Sequence, residues 1–254
     1  MTHLDWGLTG KTVIVTGATG AIGRAVAQGF AEAGATVAIV DLDQATCETT
    51  ALSLGLAHRG YGTDLRQFAQ LPALIARIEA DLGLATTLVN IAGVILRTPD
   101  LFTVTEKDWD AQHDINLKAL FFLTQAFSKR LADTGTSGSV INYSSQGALS
   151  GGFGGSVVYN ATKGAITTMT RGMARSWAPL GIRVNSIAPG LVDTPMLKTT
   201  GQTDEDRQAM INQIPMKRLG LPEDNVGATV FLASDMARYM TGAMINVSGG
   251  FLMY

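Results

Sequence analysis

Short β-branched, apolar runs alternate with helix-length segments from one end of this chain to the other, and that alternation limits the fold more than any other feature. The runs are TVIVT (Thr12–Thr16), TVAIV (Thr36–Val40), a weaker one at His58–Gly62, TLVNIAG (Thr87–Gly93), SVINYS (Ser139–Ser144), IRVNSIA (Ile182–Ala188) and MINVSGG (Met244–Gly250). Helix-periodic stretches fill the gaps: Ile22–Ala33, Gln44–Ser53, Arg66–Leu82, Thr105–Leu131, a segment ending at Trp177, and one opening at Pro222. Buried strands joined by crossovers of this length read as right-handed βαβ units. The expected class is therefore α/β, a three-layer, doubly wound parallel sheet of seven strands with helices on both faces. Thr105 and Asp108 read as a capping box, and Pro222 with Glu223 and Asp224 as a helix start. Val192–Pro215 fits least well. It is polar, has helical character at Asp204–Gln213 and follows Pro189-Gly190, so it reads as a lid over the carboxyl edge of the sheet.

The chain has 254 residues, enough for one α/β domain or two small ones, and no composition break marks a linker. Charged residues are only 16%, which implies much buried surface, subunit contacts included. A net charge of −2 with no basic stripe argues against nucleic-acid or anionic-membrane partners. No apolar run is long enough to span a bilayer, and MTHLDWGLTGK at the start lacks the pattern of a signal peptide. A cytoplasmic location is the expectation. Cys47, the single cysteine, can form no internal disulfide and reads as a buried inert thiol. His3, His58 and His113 are too scattered to suggest a metal site.

Two stretches carry chemistry. TGATGAIG (Thr16–Gly23) puts Gly17, Gly20 and Gly23 between the first strand and the first helix, where backbone amides can approach a pyrophosphate. Asp41 ends the second strand, where a carboxylate accepts hydrogen bonds from adenosine ribose hydroxyls and repels a 2′-phosphate. That favours NAD over NADP. An Asp capping the next helix is the plainer reading, although Asp43 can fill that role. The second stretch is YNATK, in which Tyr159 and Lys163 lie one helical turn apart on one face. Alone, it reads as a snorkelling lysine beside a half-buried tyrosine.

Together, TGATGAIG, NIAG (Asn90–Gly93), a mid-chain serine followed by YNATK, and PGLVDT (Pro189–Thr194) resemble the short-chain dehydrogenase/reductase family over the whole chain. The resemblance implies a single Rossmann-like domain over 1–254 and an NAD-dependent oxidoreductase. It implies diphosphate contacts at Gly17, Ala21, Ile22 and Gly23, and adenine contacts at Asp64 and Leu65. Asn90, Ala92 and Gly93 would line the ribose side, and Pro189, Gly190, Val192 and Thr194 the nicotinamide end. The implied catalytic set is Asn116, Ser145, Tyr159 and Lys163. Hydride transfer at a carbinol carbon requires a proton to move at its oxygen, and a phenol near pKa 10 is a poor base at neutral pH. An ammonium ~4 Å away at an effective dielectric near 20 favours phenolate by about 4 kcal/mol, so Lys163 is expected to pull Tyr159 toward neutrality. Lys163 would also reach the nicotinamide ribose, Ser145 would bond the substrate oxygen, and Asn116 would hold a relay water. The plainer reading of Asn116 is a helix amide satisfying a backbone group.

Some positions depart from the family pattern. Ala21 stands where a middle glycine is usual, Ile91 where a second Asn is frequent, and Ser248 where Asp is common. Ser145 lies 14 residues before Tyr159, one more than the usual spacing. That leaves Ser144 as its competitor and puts Gln146 at the strict-spacing position. Gln146 joins Ser145 and Tyr159 as a substrate-contact candidate, with Asn160 and Arg97 as further polar candidates. The tail GGFLMY resembles those of sugar-acid and polyol members, so a small polyol, sugar or hydroxy acid is the expected substrate. The alternatives are an NADP-dependent 3-oxoacyl thioester reductase and a non-catalytic nucleotide-sensing protein. The apolar surplus of Ala119–Phe127 and Ala165–Trp177 suggests pairing across two-fold axes, and the family resemblance suggests a homotetramer.

Overall fold

The computed structural model describes residues 6–197 and 203–254. Its centre is one sheet of β1 (Thr12–Thr16), β2 (Thr36–Asp41), β3 (Arg59–Gly62), β4 (Ala85–Asn90), β5 (Gly138–Tyr143), β6 (Ile182–Pro189) and β7 (Met244–Val247). All neighbours pair in parallel, in the order β3-β2-β1-β4-β5-β6-β7. The chain winds outward from β1 in one direction and, after β3, from β4 in the other. Strand order therefore reverses between β1 and β4, and their carboxyl ends diverge to open a crevice.

Side-chain alternation divides the core. Val13, Val15, Val37, Ile39, Val89 and Ile141 face α1 (Ala21–Glu32), α2 (Gln44–Leu54) and α9 (Val226–Ala233), packing on Val26, Phe30, Cys47 and Leu232. Ile14, Val40, Leu88, Val140 and Val184 face α3 (Leu71–Leu82), α5 (Ala119–Thr134) and α7 (Val157–Trp177), packing on Ile75, Ile78, Leu123 and Phe127. Each fully buried aliphatic or aromatic side chain contributes about 1.5–3 kcal/mol, which holds the sheet rigid beneath the crevice.

Most boundaries fall within one or two residues of the sequence pattern; β7 ends at Val247 instead of Gly250, and the helix expected at Pro222 opens as a 3₁₀ turn, Pro222–Asn225, before α9. β4 stops at Asn90 instead of reaching Gly93, because the Ile91 and Ala92 amides turn to the Thr16 hydroxyl at 3.1 and 3.3 Å. The helix expected from Arg66 starts at Leu71, after a 3₁₀ turn at Phe68–Gln70, with Pro72 in its first turn. The capped helix after Thr105 is not uniform. It comprises α4 (Glu106–His113), a π-helical turn at Asp114–Lys118, and α5. Thr105 caps it, its hydroxyl accepting from the Asp108 amide at 3.1 Å.

A single helical turn, α6 (Gly147–Ser150), follows β5. Within the expected lid, α8 (Asp204–Gln213) starts at a capping box of Thr203 and Asp206. Ile211 and Ile214 pack with Leu191, Leu197, Leu219 and Phe251 in a small separate core. Residues 198–202 of that lid, and His3, lie outside the described residues.

Candidate active site

The crevice above β1 and β4 is a cavity of about 840 Å³. It runs from Asp41 and Asp64 past the glycine turn to Tyr159, Gln146 and Thr194. At the Asp41 end the backbone makes the site. Gly17 adopts φ +65°, and a Cβ there would lie 2.8 Å from the Ala92 backbone. A Cβ on Gly23 would lie 2.1 Å from the Gly17 carbonyl oxygen. These two glycines let β1, α1 and the loop after β4 close together. The first intrahelical amide of α1 is that of Arg24, donating to the Gly20 carbonyl at 2.9 Å, so the amides of Ala21, Ile22 and Gly23 lack acceptors inside the helix. With Gly20 as N-cap, Ala21 opens the helix without distorting the turn. A diphosphate fits this cradle of free amides at a helix N-terminus.

Asp41 is oriented before any ligand arrives. Its Oδ2 accepts from the Thr19 amide at 3.1 Å and the Thr19 hydroxyl at 2.7 Å, and its Oδ1 from the Leu42 amide at 2.8 Å. Asp43, not Asp41, caps α2 by accepting from the Thr46 amide. Asp64 is held bidentate by Arg66, whose guanidinium keeps the carboxyl below its ordinary pKa.

The opposite end is built from side chains. Tyr159 and Lys163 sit one turn apart on α7, with the Lys163 Nζ 5.5 Å from the centre of the phenol ring. Lys163 is only 3% exposed and donates to the Tyr143 carbonyl at 2.7 Å. Gly93 leaves room for the Asn116 amide, since a Cβ there would stand 3.0 Å from its Oδ1. The Ser145 hydroxyl lines the cavity with the Tyr159 phenol, draws its pKa down, and accepts from the Gly147 amide at 3.1 Å. Ser144 is otherwise engaged. Its hydroxyl donates to the Lys163 carbonyl at 2.9 Å and shares a 2.8 Å hydrogen bond with Thr167. Ser145, not Ser144, is the serine that acts on the phenol.

Burial outweighs the cation in setting the phenol's acidity. Tyr159 is pushed up to about 12 by desolvation, opposed by the Ser145 hydrogen bond and by the charge of Arg97. Lys163 is pushed down to about 8 by its own burial. The expected lowering of Tyr159 by Lys163 does not hold in this state. The Nζ lies over the ring, 5.5 Å from its centre, and the same desolvation that penalises phenolate penalises the ammonium. Arg97, whose effect the sequence reading missed, is the cation acting on the phenol. Among the described residues no carboxylate pairs with it.

Two predicted site residues turn away from the cavity. Asn90 donates through Nδ2 to Thr124 and Asn142, both at 2.9 Å, tying β4 to α5 and β5. Asn116, in the π turn, accepts from the Val94 amide at 2.7 Å and donates to the Val94 carbonyl at 2.9 Å and to Thr162 at 3.2 Å. Its side chain pins the loop after β4. The other predicted positions line the cavity: Gly17, Ala21, Ile22, Gly23, Asp41, Asp64, Leu65, Ala92, Gly93, Ser145, Gln146, Tyr159, Lys163, Pro189, Gly190, Val192 and Thr194. Asn160 is a loop clamp, donating to Gly151, Ser156 and the Ser156 hydroxyl. Thr16 and Thr19 were missed as supports; their signal was a hydroxyl flanking a glycine turn. Cys47 is buried, its thiol pushed up to about 11, and no group of His, Cys, Asp and Glu among the described residues could hold a metal.

A family model described as enoyl-(acyl carrier protein) reductase, within the short-chain dehydrogenase/reductase group, matches residues 17–252. The chain is 38% identical over 248 residues to a 2-dehydro-3-deoxy-D-gluconate 5-dehydrogenase of Escherichia coli, covering 96% of each. It is 37% identical over 256 residues to a (3R)-3-hydroxyacyl-CoA dehydrogenase of Canis lupus familiaris, covering 97% of this chain and 98% of that one. A Beutenbergia cavernae structure, described as a proposed NAD(P)-dependent gluconate 5-dehydrogenase with bound NADP, superposes with a TM-score of 0.91 at 33% identity, covering 97% and 98% of the two chains. A glycine cradle, the Asp41 carboxylate and a serine–tyrosine–lysine set share one cavity, and the match runs from end to end: this chain belongs to the short-chain dehydrogenase/reductase family, as an oxidoreductase of the alcohol–ketone type.

Proposed function

We propose that the protein transfers hydride between NAD(H) and a small polyhydroxylated secondary alcohol or its ketone, a sugar, polyol or hydroxy acid. The observation that carries this reading is that Ser145, Tyr159 and buried Lys163 line the same cavity as the glycine cradle. The dinucleotide supplies the hydride acceptor or donor when bound. Ser145 and Tyr159 hold the substrate oxygen. In oxidation Tyr159 acts as phenolate, its own proton first passed to a neutral Lys163, and takes the proton of the substrate hydroxyl; in reduction the phenol returns one. Lys163, pushed down to about 8 by its burial, gives the proton a next station. With the Asn116 amide committed to Val94 and Thr162, a relay past Asn116 would use its main-chain carbonyl in the π turn.

Asp41 supports NAD over NADP, because its carboxylate would oppose a 2′-phosphate. Arg97 supports a substrate carrying negative charge or many hydroxyls, and the sugar-acid relatives agree with that. The test is a panel of polyols, sugars and hydroxy acids with NAD and NADP in parallel, followed by nicotinamide absorbance. Turnover of hydrophobic alcohols or thioesters alone would refute the substrate class.

A second reading, NADP-dependent 3-oxoacyl thioester reduction, is favoured by the hydroxyacyl relative and by Val94, Ile95, Leu96, Phe153 and Leu197 in the cavity wall. The same panel, extended to an acyl thioester, separates the two. A pure nucleotide sensor would show no turnover with any of them. A homotetramer is consistent with the exposed Trp109 and Val157 and the half-buried Phe121, Phe122 and Met169 on α4, α5 and α7. No helix of the described residues is long and apolar enough to cross a membrane, which is compatible with the cytoplasmic location proposed.

A further inference from the structure

Gln146 stands apart from the other polar residues of the cavity. It is 5% exposed, yet its side-chain oxygen is buried with no hydrogen-bond partner among the described residues. Its backbone is fully engaged. The amide donates to the Pro189 carbonyl at 3.0 Å, and its carbonyl accepts from the Leu149 amide at 3.2 Å and the Ser150 amide at 3.4 Å. The residue is thus held in place while its carboxamide, which lines the cavity, is left unbonded. An unpaired buried amide is costly, and a chain seeking only stability would place an apolar side chain here. Its polar neighbours do not share this state. Asn160 makes three hydrogen bonds to the loop before it, and the Ser145 hydroxyl accepts from the Gly147 amide.

The position of Gln146 suggests what it is held ready for. It directly follows Ser145, which with Tyr159 addresses the oxygen of the reacting carbon. A group reached from the next residue along the wall belongs to the next carbon of the substrate. A carboxamide can accept a hydrogen bond from a hydroxyl there through its oxygen, or donate one to it through its nitrogen. Against a hydrogen or methyl at that carbon it stays unpaired, and sites built to bond a hydroxyl discriminate strongly against analogues lacking it.

We infer that the Gln146 carboxamide is the specificity group that selects a substrate with a hydroxyl adjacent to the reacting carbinol or ketone, so that the site prefers a vicinal diol or α-hydroxy ketone over the corresponding mono-alcohol or simple ketone. This rests on the oxidoreductase reading of the same cavity. The test compares kcat/KM for a matched pair, a vicinal diol and the mono-alcohol of the same carbon skeleton, in wild type, Gln146→Met and Gln146→Leu, with thermal midpoints measured alongside. The diol-to-mono-alcohol ratio is expected to fall about 10–100-fold in both variants, the scale for removing one buried hydrogen-bonding partner. The midpoint of Gln146→Met is expected to rise, because an orphan amide has been replaced by an apolar group of similar size. An unchanged ratio in two folded variants would overturn the inference, as would a loss expressed only in the KM of the dinucleotide, which would assign the amide to the cofactor. Absence of turnover of either alcohol by wild type would instead overturn the proposed function, so the two failures are distinguishable.

Discussion

The two ends of the cavity are built on opposite plans. At the Asp41 end recognition groups are satisfied in advance: Asp41 is held by Thr19 and Leu42, Asp64 by Arg66, and the cradle is backbone locked by glycine packing. At the Tyr159 end the functional groups are incompletely paired among the described residues: buried Lys163 rests on one carbonyl, buried Gln146 has an orphan oxygen, and half-buried Arg97 has no acidic partner. A shared cofactor can be met by a finished surface. Proton transfer and substrate choice need groups whose protonation or bonding changes during the reaction, and such groups reduce the stability of the resting protein.

The contrast can be tested from either end. The largest effect is expected of Tyr159→Phe, which removes the proton-carrying oxygen and leaves the cradle untouched. Turnover should drop by about 10³-fold or more while a nicotinamide-fluorescence titration gives near-normal dinucleotide affinity. Equal loss of both would mean that the two ends are not separable. Gly23→Ala addresses the locked end. Its Cβ meets a backbone oxygen at 2.1 Å, so the turn itself must move. Dinucleotide affinity should fall by about 10²-fold, with about 1–3 kcal/mol of stability lost in denaturant titration. Unchanged affinity would show the cradle to be looser than its packing implies. Asp41→Ser should raise the NADP-to-NAD ratio of kcat/KM on the order of tenfold by removing the opposing charge, and a constant ratio would move cofactor choice elsewhere.

The smallest effect is a matter of degrees. Lys163 is pushed down to about 8 from its ordinary 10.5, so below pH 8 both folded and unfolded chains carry the ammonium and the burial penalty is present in full. Between about 8 and 10.5 the folded chain has released a proton that the unfolded chain still binds, and stability rises with pH. Lys163→Met lacks this term. Its thermal midpoint should exceed that of wild type by a few degrees near pH 7, with the gap closing as pH passes 8 toward 10. A gap independent of pH would show that the ammonium is not strained.

What could be read from sequence follows from how local the cause is. The strands were legible because β-branched runs buried on both faces need no context, and the glycine turn because backbone approach demands glycine. YNATK was legible because helical spacing alone puts Tyr159 and Lys163 on one face. The preference for Ser145 over Ser144 rests on the family pattern alone; what removes Ser144, the binding of its hydroxyl by the Lys163 carbonyl and Thr167 of α7, depends on tertiary packing that adjacent residues cannot reveal. The role of Asn90 was hidden because its partners, Thr124 and Asn142, lie 34 and 52 residues away. The sign of the Tyr159 shift was missed because spacing gives proximity but not burial.

The π turn at Asp114–Lys118 accommodates one residue more than an α-helix would over the same rise. It is therefore a place where the chain can be shortened by one residue without unthreading its neighbours. Losing that residue lets the turn tighten to α geometry, with α4 and α5 still in register with the sheet. A chain so trimmed would keep its core and forfeit the anchor that Asn116 gives to the loop above β4. At this turn, then, the architecture can tolerate a deletion that the chemistry cannot.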